Sequence, residues 1–129
     1  CSGGLGYGLP AAVGVALAKP DRKVIGLIGD GSAMYSIQAL WSAAQLQLPI
    51  TFIILKNRRY AALQEFAPTF GFHEGDKLEG TDLSDLDFLA LARGQGCEAV
   101  RVSDARQLAT VLREALAHPR AMLVEVDVA

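Results

Sequence analysis

The stretch IGLIGDGSAMYSI, residues 25–37, decides how this chain is read. Its first half is an apolar run of strand length, and its second half is a short turn that holds one carboxylate, Asp30, between Gly29 and Gly31. An apolar run ending in a Gly-Asp-Gly turn reads as a buried strand that delivers a polar group at its carboxyl end. Working outward, KVIGLIG (23–29) is preceded by Pro10 and AAVGVALA (11–18), a helix with proline in its first turn and Lys19-Pro20-Asp21 as the stop. It is followed by SIQALWSAAQLQ (36–47), whose apolar positions 37, 40, 41, 44 and 48 keep a helical period.

The remaining chain repeats the alternation. PITFIILKN (49–57) is a second buried strand and YAALQEFA (60–67) a short helical pattern, followed by a Gly- and acid-rich connection over 71–85. DLDFLALARGQG (85–96) is a helix ending at glycines, CEAVRV (97–102) a strand, and SDARQLATVLREALAH (103–118) a helix capped by its Ser or Asp. AMLVEVDV (121–128) closes the series as a strand. Strands that alternate with helices imply an α/β fold, a parallel sheet with helices on both faces.

Composition narrows the function. The 129 residues are 51% hydrophobic and 20% charged, enough for one domain with a real core and too apolar for disorder. A net charge of −2, with no basic cluster beyond Arg58-Arg59, excludes nucleic acid or an anionic membrane as the main partner. No apolar stretch approaches the roughly 20 residues that span a bilayer, and the first residues lack the pattern of a signal peptide. Cys1 and Cys97 form neither a metal knuckle nor a disulfide framework, so a reduced, cytoplasmic setting is expected. The opening CSGGLGYGLP has no initiator Met and reads as the interior of a longer protein.

In open parallel sheets, ligands bind beyond the carboxyl ends of the strands. One such end supplies Gly29-Asp30-Gly31-Ser32 and the next Lys56-Asn57-Arg58-Arg59. Asp30 and Asn57 lie 27 positions apart, one strand–helix–strand excursion, so neighbouring strands would bring carboxylate and amide oxygen together. A hard divalent cation such as Mg²⁺ takes oxygen ligands of this kind and completes its shell with water and phosphate. Glycines beside Asp30 admit a diphosphate to the backbone, and Ser32 at the head of the next helix adds a donor. The same residues also fit an ordinary glycine turn and a loop asparagine.

Gly-Asp-Gly followed about two dozen residues later by Asn after a strand resembles the thiamine diphosphate motif of the 2-oxo acid decarboxylase and acetolactate synthase superfamily. The likeness runs from GGLGYGLP to RRYAAL, and SIQALWSAAQ (36–45) with YAALQEFA is most similar to the benzoylformate decarboxylases. The resemblance implies thiamine diphosphate and Mg²⁺ (or Ca²⁺) as cofactors. It places Asp30, the Asn57 side chain and the Arg59 backbone carbonyl on the metal, and Gly29, Gly31, Ser32 and Tyr60 beside the cofactor. Gly3 would offer its carbonyl to the aminopyrimidine, Leu5 would hold the cofactor bent, and Ala62, Leu63 and Phe66 would line the substrate pocket. It further implies non-oxidative decarboxylation of an aromatic 2-oxo acid, with N-terminal pyrimidine-binding and middle domains elsewhere in a three-domain enzyme that forms a dimer or tetramer. No catalytic residue is expected within this chain, which would be inactive alone.

Two departures stand out. Many relatives have Asn-Asn where this chain has Lys56-Asn57, and Arg58-Arg59 replace smaller residues. Outside the motif, His73, His118 and Glu65 read as surface residues, HEGDKLEGTDLSDLD (73–87) as a solvated loop, Trp41 as core or interface, and Cys97 as a small buried hydrophobe. Competing functions are an acetolactate synthase-like carboligase and a non-catalytic domain that keeps the fold. The glycine run 4–8 does not have the spacing of a dinucleotide fingerprint.

Overall fold

The apolar run at 25–29 does form a strand. In the computed structural model, which describes residues 4–73 and 75–128, β1 (Val24–Gly29) follows α1 (Gly8–Ala18) and leads into α2 (Asp30–Met34). Then come α3 (Ala39–Gln45), β2 (Ile50–Lys56), α4 (Ala61–Phe66) with a 3-10 turn over Ala67–Phe70, and α5 (Phe88–Gly94). The chain ends with β3 (Glu98–Val102), α6 (Ala105–Ala117) and β4 (Met122–Asp127). All four strands are parallel, in the order β1-β2-β4-β3, so the expected α/β architecture holds.

The two faces of the sheet have different partners. One is covered by α1, α3 and α5, where Leu9, Ala16, Leu40, Phe52, Phe88 and Leu123 form a dry cluster. The other carries α6, with Val102, Ala115 and Val124 beneath it. Asp87 caps α5 by accepting from the Leu89 and Ala90 N–H groups, and Asp104 caps α6 by accepting from Arg106. Cys97 is buried against the Leu40 carbonyl (3.4 Å), and burial pushes its thiol up to about 11.

Several boundaries differ from the sequence reading. Helix α1 begins at Gly8, so Pro10 takes its third position, where a backbone N–H has no intrahelical partner in any case. The single helix expected over 36–47 is shorter, and the chain turns helical earlier, at Asp30 itself; Ser32 is thus the third residue of α2, not its opener. Strand β1 is an edge, and Ile25 and Leu27 on its α6-side face are 54% and 64% exposed, since α6 lies over β3 and β4 and reaches Thr51 of β2, whose hydroxyl donates to the Ala115 carbonyl, but not β1. Its apolar sequence therefore reports two apolar faces, only one of which the described residues cover. Trp41 is 57% exposed and outside the core. Among the described residues no helix is long and apolar enough to cross a membrane.

Candidate metal–diphosphate site

Parallel pairing of β1 with β2 sets Gly29 opposite Leu55, so the residues after each strand emerge side by side. Asp30, buried at the first position of α2, bridges the two ends. Its Oδ1 accepts the Gly31 N–H at 2.8 Å and its Oδ2 the Arg58 N–H at 2.7 Å. Arg58 adopts φ 61°, a left-handed turn unusual for a residue with a side chain, and its guanidinium is 2.7 Å from Asp127 Oδ1 at the end of β4. Asn57 turns its Oδ1 to the Arg59 N–H at 3.2 Å. The carboxylate and the amide expected from the sequence thus meet at one sheet edge.

The Arg59 carbonyl is the third oxygen expected from the sequence. Arg59 pairs with Asp82 in an antiparallel bridge, flanked by Tyr60 N–H donating to the Thr81 carbonyl and Leu83 N–H donating to the Arg58 carbonyl, both at 2.8 Å. A residue between two such bonds directs its own N–H and C=O away from the partner segment. Among the described residues no donor occupies the Arg59 carbonyl. Nor do three His, Cys, Asp or Glu side chains gather anywhere among them, which leaves a donor set of one carboxylate, one amide and one carbonyl. That chemistry fits a hard cation that keeps water and phosphate ligands.

Around this edge the backbone is pressed close. A Cβ on Gly31 would lie 2.5 Å from Tyr60 Cε1, so only glycine admits the Tyr60 ring over the turn. Tyr60 meets Tyr35 edge to face at 6.3 Å, and its phenol is raised by burial, then by Tyr35 and Asp30 nearby. Gly29, by contrast, has nothing from the described residues within 4 Å of its Cβ position, an open side next to Asp30. Ser32 Oγ accepts the Gly6 N–H at 3.1 Å, and Ser36 Oγ donates to the Gly6 carbonyl at 2.6 Å. These bonds pin the loop carrying Leu5, about half exposed, against α2, with Gly6 at φ 85° and a Cβ there only 2.7 Å from Tyr35 Cβ. Gly3 lies outside the described residues.

Helix α4 continues from Tyr60 and has no buried residue. Ala62, Leu63 and Phe66 come together with Phe70, Phe72 and Leu78 along an apolar cleft of about 790 Å³. Leu63 and Phe66 are 53% and 62% exposed there. A second cleft of about 630 Å³ shares Ala67, Phe72 and Leu78 and is lined on its far side by Arg59, His73 and Asp76. Glu65 and His73 face solvent, as expected. His118 does not: it lies at the opposite edge of the sheet, its Nε2 3.2 Å from Glu98 Oε1 and its Nδ1 3.1 Å from the Arg120 carbonyl. Lone-residue reasoning missed it because Glu98 is 20 positions away in sequence. It missed Ser36, Asp127 and the 81–83 segment for the same reason, as no local pattern marks them.

These features define an α/β domain whose strand ends present a carboxylate, an amide and, among the described residues, a donor-free carbonyl beside a glycine-lined opening. Over residues 1–126 the chain matches the family described as thiamine pyrophosphate enzyme, C-terminal TPP binding domain, and it belongs to that family. It is 54% identical over 125 residues to benzoylformate decarboxylase of Pseudomonas aeruginosa, covering 97% of this chain and 23% of that protein. The solved thiamine diphosphate-dependent 4-hydroxybenzoylformate decarboxylase of Rhodococcus jostii superposes with a TM-score of 0.89 at 50% identity, over 98% of this chain and 23% of that one. The acetolactate synthase isozyme 1 large subunit of Escherichia coli is 34% identical over 98% of this chain and 23% of its own length. The chain therefore spans about a quarter of the relatives it matches.

Proposed function

We propose that this chain is the C-terminal, metal–diphosphate-binding domain of a three-domain enzyme that decarboxylates an aromatic 2-oxo acid such as benzoylformate, using thiamine diphosphate and Mg²⁺ or Ca²⁺. The observation that carries the proposal is that Asp30, Asn57 and the Arg59 carbonyl, which accepts from no donor among the described residues, follow the ends of the adjacent strands β1 and β2, beside Gly29. Asp30, Asn57 and Arg59 would hold the cation. Gly31, Ser32 and Tyr60 would contact the diphosphate, and Leu5 would support the cofactor's shape. When bound, thiamine diphosphate supplies the carbon nucleophile and electron sink that the protein side chains lack.

The chain's own residues bind and orient. The apolar cleft along Leu63 and Phe66 favours an aromatic substituent, which supports a decarboxylase of aryl substrates over the carboligase reading. Neither histidine lines the apolar cleft: His73 is exposed in the second cleft, and His118 is tied up at the far edge. The chain alone is therefore expected to be inactive, with N-terminal pyrimidine-binding and middle domains, in a cytoplasmic homo-oligomer, completing the centre. Carbon dioxide release from benzoylformate by the full-length protein, with and without thiamine diphosphate and Mg²⁺, tests this. Release that needs both supports the proposal. Cofactor binding without release, or acetolactate formation from pyruvate in its place, refutes it.

A further inference from the structure

The loop that carries Asn57 and Arg59 runs beside a second segment, residues 81–87. Two rungs of that pairing are the Tyr60–Thr81 and Arg58–Leu83 backbone bonds, and they turn the Arg59 carbonyl outward. A third rung is made by a side chain. Lys56, the last residue of β2, donates from its buried Nζ to the Leu86 carbonyl at 2.8 Å and lies 3.3 Å from Glu125 Oε2. Glu125 is itself fully buried and pairs through its other oxygen with Arg101 Nε. The backbone around Lys56 is fixed as well, since its carbonyl accepts the Val128 N–H at 3.0 Å.

A buried ion pair is a poor way to gain stability, because desolvation offsets most of its attraction. Lys56 lies on the same face of β2 as Ile50, Phe52 and Ile54, where an apolar side chain would pack. What an apolar residue cannot do is reach from β2 to the Leu86 carbonyl and hold the 81–87 segment in place. We propose that Lys56 is a positioning residue for the metal loop: it clamps residues 81–87 so that their rungs fix the direction of the Arg59 carbonyl. Glu125, itself paired with Arg101, holds the Lys56 ammonium in place. This inference rests on the functional reading above, in which that carbonyl is a metal ligand.

The test uses the full-length protein with Lys56→Met, Lys56→Gln and, as a control that removes a lysine–carbonyl bond at the other end of the sheet, from Lys23 Nζ to the His118 carbonyl at 2.7 Å, Lys23→Met. The first readout is amide exchange at Tyr60 and Leu83 without cofactor; the second is Mg²⁺ affinity by calorimetry in saturating thiamine diphosphate. Losing a charge-assisted bond is expected to speed exchange at both amides at least about tenfold and to weaken Mg²⁺ by a similar factor in the Lys56 variants. Lys23→Met should stay within about threefold of the unaltered protein on both. If Lys56→Met does not fold, the same outcomes are read from Lys56→Gln, which keeps a shorter, neutral donor. Unchanged exchange at Tyr60 and Leu83, or equal effects from Lys23→Met, overturns the clamp. Faster exchange together with an unaltered protein that binds no Mg²⁺ overturns the functional reading instead, and with it the positioning role.

Discussion

Asp30→Asn in the full-length protein isolates what the carboxylate contributes. Asp30 offers one oxygen to Gly31 and the other to Arg58, at 2.8 and 2.7 Å, from a buried position. Asparagine has the same outline but a single acceptor oxygen. Whichever way its amide turns, one of the two N–H groups then faces a donor. The cost is one charge-assisted hydrogen bond, about 1.5–3 kcal/mol, partly offset because a neutral amide is easier to bury. A net loss of about 2 kcal/mol corresponds to roughly 30-fold faster exchange at the Gly31 or Arg58 amide, confined to this edge because neither bond reaches the core. Exchange at Phe52, in the middle of β2, should stay as it is. In the same variant, Mg²⁺ affinity measured in saturating thiamine diphosphate should fall at least about 100-fold, since the site's donor set has no second carboxylate. Exchange at both amides and Mg²⁺ affinity all within threefold of the unaltered protein would refute the reasoning.

The two glycines that flank Asp30 should behave oppositely. Gly29→Ala adds a methyl to open space at φ −71°, so folded stability should shift by under about 0.5 kcal/mol while thiamine diphosphate affinity falls about tenfold, read by melting and calorimetry. Gly31→Ala must displace the Tyr60 ring from 2.5 Å, at an overpacking cost of about 1–3 kcal/mol, visible as a lowered melting midpoint and altered Tyr60 resonances. Phe66→Ala should lower kcat/KM for benzoylformate relative to pyruvate about tenfold; an unchanged ratio removes Phe66 from the substrate cleft. Because burial raises the Cys97 thiol to about 11 from its ordinary value near 9, the unfolded thiol ionises first. Its contribution is complete below pH 9 and is lost between pH 9 and about 11, by about 2–3 kcal/mol, and a Cys97→Ala variant should lack that slope in denaturant titrations.

The fold was legible because its signals are local. Short apolar runs such as TFIIL, bounded by turn residues and separated by helical periods, specify strands that alternate with helices, and that order admits few topologies. The site was legible as far as residues adjacent in sequence could carry it: Asp30 between glycines, and Asn57 directly after a strand. Boundaries were less so. The 36–47 pattern reads as one helix, yet the structure spends residues 35–38 turning between α2 and α3 so that Ser36 can hold the Gly6 carbonyl.

Other features depend on partners that no local pattern names. His118 reads as a surface residue until Glu98 and Arg120 are seen around it. Lys56 reads as a departure from Asn-Asn until Glu125 and the Leu86 carbonyl are placed beside it.

The sequence by itself determined that the chain is an α/β domain of the thiamine pyrophosphate enzyme family, and it named the carboxylate and the amide at the strand ends. Periodicity and contiguous motifs are properties of neighbouring residues, so they survive being read in one dimension. Only the tertiary structure decided that the Arg59 carbonyl faces away from residues 81–83, that Tyr60 leans on Gly31 and not on Gly29, and that the described residues leave one face of β1 uncovered. Each of these depends on hydrogen bonds or contacts between segments about 20 or more residues apart. Such pairings exist only once the sheet has closed and fixed which strand ends lie side by side.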